Sequence, residues 1–178
     1  MTAINSAIVT QPVPLLDALG LAPPPPDTRQ RLLRFPLWGQ DSGLLSLADI
    51  AEVLRVPLGN VLPVPGVPEV VLGICNWRGD MLWLVDFNAL SGYPSILEQV
   101  GGSLPLTILV VRAQGKAVGL GVSQFQDIER HDLTHLQGAA PGLFPARLYP
   151  FIAGVLPGDQ GAVLNAAAIL AASCWQTS

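Results

Sequence analysis

His131 and His135 stand four residues apart, the spacing that can put two imidazoles on one face of a helix, with Glu129 and Asp132 beside them. Such a set binds a divalent cation when a helix fixes it and a third ligand completes it. Here the chain runs on through a Gly- and Pro-bearing stretch, His131 to Arg147, so the pair reads as loop histidines. Asp127, Glu129 and Asp132 read as a solvated acidic face. Ser42, Ser46 and Ser123 lack the Gly-x-Ser-x-Gly elbow of a nucleophile. Cys75 and Cys174 lie far apart without a neighbouring base or zinc-type partner, and read as packed, reduced thiols. Gly119 and Gly121 are too few to cradle a phosphate. No catalytic, cofactor or metal site is expected from this inventory.

The elements that would position these residues are short and mostly extended. RLLRFPLW places Leu33, Phe35 and Leu37 on one face at period two, a strand in which Pro36 demands an edge or a bulge. Gly39 to Gly43 turns the chain into a second strand, Leu44 to Leu47. Ala48 to Leu54 carries Ile50, Val53 and Leu54 at helical spacing, which predicts one or two turns of helix before a proline-stiffened loop. Val70–Trp77 and Met81–Phe87 predict a hairpin about Arg78, Gly79 and Asp80. Leu106–Arg112 and Ala117–Val122 predict another, with Gly115 in the turn. Phe125–Arg130 extends it, Tyr149–Leu156 is a further apolar strand, and Ala162–Leu164 leads into an Ala-rich helix capped by Asn165. Many short strands with frequent Gly/Pro turns predict an all-β barrel architecture.

The chain has 178 residues, 50% hydrophobic and only 12% charged, with a net charge of −4. Nine Lys and Arg make no basic stripe, which excludes nucleic acid as an expected partner. The apolar stretch Ala162 to Trp175 is shorter than the roughly 20 residues that span a bilayer, so no direct membrane insertion is expected. Low charge predicts apolar surface patches that partners cover. Residues 1–28, with Pro12, Pro14 and Pro23 to Pro26, read as a proline-rich leader, and residues 29–172 as the folded part.

The segment GICNWRGDMLWLVDFNALSGYP resembles the core of the CheW family, usually a Gly-Val-Asn-Leu-Arg-Gly stretch, a strand and Val-Asp-Leu. Upstream, FPLWGQDSGLLSLADIAEVLRV is similar to the family's opening strands and short helix, and PVPGVPEVVLG to its proline-bearing approach. Downstream, ILVVRAQGKAVGLGVSQFQDIER and FIAGVLPGDQGAVLNAAAIL resemble the second hairpin and the final strand and helix. Three positions depart from the pattern: Ser123 and Asn165 stand where Asp is common, and Trp83 where Pro is common.

The resemblance implies two side-by-side five-stranded SH3-like β-barrels with short helices. The N-terminal barrel would span about 31–92, the C-terminal one about 103–156, and the terminal helix about 165–173, with chain exchange between the barrels making these limits approximate. It implies a cytoplasmic, non-enzymatic adaptor that couples the regulatory domain of a CheA-type histidine kinase to a receptor's cytoplasmic helical tip in chemotaxis, phototaxis or pilus motility. Ile50, Glu52, Gly73, Asn76, Arg78 and Gly79 are the implied partner-binding positions, with a surface ion pair between Glu52 and Arg78. Read alone, Arg78-Gly79-Asp80 is an adhesion tripeptide, but the expected cytosolic compartment argues against that role, and the resemblance implies that Arg78 belongs to the receptor-facing surface. Two other classes of function stay open: a small-molecule-binding β-barrel and a hydrolase with dispersed residues. An unfilled apolar interior would favour the first, and converging titratable groups the second.

Overall fold

In the computed structural model, residues 20, 26–101, 104–158 and 161–172 are described. The leader expected over 1–28 and Cys174 lie almost wholly outside them. Among the described residues, ten strands form two five-stranded sheets. They are β1 (Gln30–Pro36), β2 (Ser42–Ser46), β3 (Ile50–Val56), β4 (Val71–Trp77), β5 (Asp80–Asp86), β6 (Leu106–Ala113), β7 (Lys116–Val122), β8 (Ile128–His131), β9 (Ile152–Val155) and β10 (Gly161–Leu164). Three short helices, α1 (Phe87–Ser91), α2 (Ile96–Val100) and α3 (Ala166–Ala171), complete the fold.

The first sheet has the order β8-β1-β2-β10-β9 and the second β3-β6-β7-β5-β4. Each sheet draws strands from both parts of the chain, so the approximate limits at 31–92 and 103–156 do not coincide with the sheets. The chain runs twice through one course: a hairpin (β1–β2, then β6–β7), a lone strand (β3, then β8), and a second hairpin closed by a helix (β4–β5–α1, then β9–β10–α3). Each sheet takes the first hairpin of one half and the remaining strands of the other, joined on one side by an antiparallel pair, β1 with β8 and β6 with β3, and on the other by a parallel pair, β2 with β10 and β7 with β5. Neither half can therefore complete a sheet from its own residues.

The register shows why several strands read as continuous apolar runs. Along β6, Leu106, Ile108 and Val110 point into the core of the second sheet, with Val56, Cys75, Leu82 and Leu84. Leu109 and Val111 on the other face join Leu33, Phe35, Leu45, Val85 and Leu164 in a core between the sheets. On the first sheet Leu32, Leu44 and Val163 fill the inner side. Successive side chains alternate faces, and both faces here are covered. Much of the apolar excess expected at the surface is thus spent in this middle layer, although Trp38, Leu62, Met81, Leu104 and Ile128 remain exposed.

Other expectations shift with the tertiary setting. Ala48–Leu54 is not helical: Ile50 to Val56 is a strand, paired antiparallel with β6 from Ile50↔Val111 to Val56↔Leu106. Its apolar residues fit either period, and pairing with distant β6 decides between them. β1 is not an edge strand, since it lies between β8 and β2, but Pro36 stands at its last position, beyond the end of the β8 pairing at Leu33↔Ile128. Tyr149–Phe151 is a turn of 3-10 helix before β9. The helices α1 and α2 were not anticipated. Buried Asp86 makes both: its carboxylate accepts from the Ala89 N–H at 3.0 Å, the Ile96 N–H at 3.0 Å and the Ser95 hydroxyl at 2.6 Å. The expected Asn165 cap is present, accepting from the Ala168 N–H at 3.1 Å.

Candidate functional site

Two residues, Arg78 and Gly79, join β4 to β5, with φ of 55° and 88°. Positive φ at both central positions is the pattern of a type I′ turn, whose twist matches that of the strands it connects. The other tight hairpin does the same with Gln114 and Gly115, at 52° and 76°. The left-handed backbone of Arg78 is therefore a demand of the turn. From this turn its largely exposed side chain reaches Glu52 and the Trp77 ring. Asn76 steadies the turn from the strand end, its side-chain oxygen facing the Gly79 N–H at 3.4 Å.

Glu52 reaches this turn from the opposite edge of the same sheet. A register shift between Ile50 and Glu52 places Ala51 as the extra residue, so Glu52, opposite Val110, falls on the face of Leu54, whereas Ile50, opposite Val111, packs against the middle core. One carboxylate oxygen, Oε2, accepts from the Trp77 indole N–H at 2.8 Å and from Arg78 at 3.0 Å (Nη2) and 3.2 Å (Nε). The indole hydrogen bond first, and Arg78 second, hold the Glu52 carboxyl below its ordinary range. Trp77 thus closes the second sheet by linking its two edge strands, β3 and β4.

The ion pair implied between Glu52 and Arg78 is present, with the side chains 37% and 62% exposed. An exposed pair contributes only about 0–1 kcal/mol, so its effect is to orient side chains, not to hold the fold. Both guanidiniums near Trp77 bear on its ring, Arg78 with its central carbon 5.1 Å from the centroid and Arg112 at 5.7 Å.

The six implied positions do not form one surface. Glu52, Asn76, Arg78 and Gly79 are brought together at the turn, and Ile50 lies at their edge, half-buried against the middle core. Gly73 is separate and buried. Its φ is 140°, and a Cβ there would lie 2.4 Å from the Leu62 carbonyl oxygen. The chain at Leu62 lies directly over it and pairs with Ile74 through two hydrogen bonds, 2.8 and 2.9 Å. Gly73 serves packing beneath the surface. Trp77 and Arg112 were missed as site residues. An aromatic beside an arginine at a hairpin turn was a signal for the first; nothing local marked Arg112.

The histidines part company: His131 Nε2 lies 2.6 Å from Glu129, whereas His135 is 3.3 Å from Asp132. Glu129 also accepts from Arg34 Nε at 2.6 Å, an ion pair that ties β8 to β1. Among the described residues no three His, Cys, Asp or Glu side chains converge as metal ligands, and no helix is long and apolar enough to cross a membrane.

Two intertwined sheets thus carry a charged aromatic cluster, Glu52, Trp77, Arg78 and Arg112, at an exposed turn. The description of the CheW-like domain matches residues 31–173, and the chain belongs to the CheW family. The scaffolding protein TtCheW from Thermoanaerobacter tengcongensis has a similar crystal structure, with a TM-score of 0.63 and 21% identity over 77% of this chain and 89% of that one. No curated protein matches the chain.

Proposed function

We propose that this protein is a cytoplasmic, non-enzymatic adaptor that couples the regulatory domain of a CheA-type histidine kinase to the helical tip of a receptor, in chemotaxis or a related motility system. The observation that carries this reading is membership of the CheW family over 31–173 together with the Glu52–Arg78 pair at an exposed turn. Glu52, Asn76, Arg78 and Gly79 form the receptor-facing surface, with Ile50 at its margin and Gly73 shaping it from below. Signal passes through differential contacts in the two states of the kinase, without chemistry by the adaptor.

The filled interior supports surface binding over the alternative of a ligand-binding barrel. Leu82, Leu84, Ile96, Leu106 and Ile108 occupy the inside of the second sheet, each 2% exposed or less. Calorimetric titration of the protein with the kinase regulatory domain and, separately, with a receptor tip fragment tests the proposal. Saturable binding of both at distinct surfaces is expected; binding of neither removes the adaptor role.

A further inference from the structure

Arg112 lies on β6, a strand that contributes none of the positions implied by the family resemblance. Its backbone N–H donates to the Asp49 carbonyl at 2.8 Å, beside the bulge in β3 that sets the direction of Glu52. Its side chain is exposed, with the guanidinium over Trp77. The cluster therefore holds two guanidiniums and one carboxylate. Oε2 of that carboxylate is already shared by the Trp77 N–H and Arg78. Among the described residues Arg112 forms no ion pair.

We propose that Arg112 is a second anchor of the receptor-facing surface, binding a carboxylate of an acidic side chain on the partner helix while Trp77 holds its guanidinium in place. This rests on the adaptor reading above. Contact with an aromatic ring steadies a guanidinium and leaves its N–H groups to meet a carboxylate in a two-pronged hydrogen bond. Preorganised in this way, the side chain loses less freedom on binding than a free arginine would. Trp and Arg are also the residues most enriched where truncation costs an interface most. The nearby acids do not supply the missing partner: Glu52 is engaged by Arg78, Asp80 begins β5 across from Trp77, and Asp49 meets Arg112 through its backbone carbonyl. The partner so defined is a helix carrying Glu or Asp within reach of the Trp77 edge, and Arg112 selects for it together with Arg78.

The test titrates the full chain and three variants, Arg112→Gln, Arg112→Glu and Arg78→Glu, against a purified helical tip fragment of a receptor encoded in the same genome, at low and moderate salt. Arg130→Gln, altering an exposed arginine paired with Asp27 elsewhere on the molecule, serves as the control. Arg112→Gln is expected to weaken binding about five- to thirtyfold at unchanged Tm and to reduce its salt dependence. Arg112→Glu should weaken it further, and replacing one acidic residue of the tip by Arg should restore it. Arg130→Gln should bind as wild type. If Arg112→Gln binds as wild type while Arg78→Glu does not, the second anchor is refuted and the adaptor reading stands. If the unaltered chain fails to bind the tip, both are refuted.

Discussion

Substituting Gly73 by Ala separates support from contact within the implied surface. The new Cβ would lie 2.4 Å from the Leu62 carbonyl oxygen and 2.9 Å from Val61 Cγ1, and φ there is 140°. The segment above must therefore lift. Lifting it breaks the two hydrogen bonds between Leu62 and Ile74, each worth about 1 kcal/mol net. A non-glycine residue at this φ adds about 1–3 kcal/mol of strain. Together these predict a loss of about 3–5 kcal/mol, which for a chain of this size lowers Tm by roughly 6–20 °C. Gly79→Ala is the internal control, because its φ is 88° but nothing lies within 4 Å of a Cβ; only the strain of about 1–3 kcal/mol remains. Scanning calorimetry of both variants and the unaltered chain reads the difference directly. A Gly73→Ala protein that melts with the wild type, or no lower than Gly79→Ala, would refute the covered position assigned to Gly73.

Arg78→Glu should change stability by no more than about 1 kcal/mol, since the pair it breaks is exposed, yet weaken tip binding about thirtyfold or more; Tm and titration on one preparation check both. Asp86→Ala leaves the Ala89 and Ile96 N–H groups and the Ser95 hydroxyl without their shared acceptor, and should cost about 2–4 kcal/mol in a denaturant titration. Arg34 foremost, with help from His131, lowers the Glu129 carboxyl to about 2. A depressed folded-state value stabilises the protein above the ordinary carboxyl range, and that contribution is lost as pH falls from about 4.5 towards about 2. The stability gap between wild type and Glu129→Gln should accordingly be open at pH 6 and narrow steadily on acidification; a constant gap would remove Glu129 from the acid response.

The parts of this molecule legible from sequence are those settled within a few residues. The turns at Arg78-Gly79 and at Gly115, the alternation in β1, and the Asn165 cap all depend on local backbone preference or on one side chain reaching its own helix end. The family resemblance added the Glu52–Arg78 pair. What remained hidden depends on partners far along the chain. Ile50, Val53 and Leu54 suit a helix as well as a strand, and only pairing with β6 makes the segment β3. The parallel pairs β2–β10 and β5–β7 carry no local mark, so the resemblance implied an exchange between the barrels but only the structure shows which hairpins are exchanged. Arg112 is an ordinary arginine at a strand end until folding sets it over Trp77. Local conformation is chosen by torsional preference and short-range hydrogen bonds, whereas which strands meet, and therefore which charges share a surface, is chosen by burying both faces of β5, β6 and β10 at once.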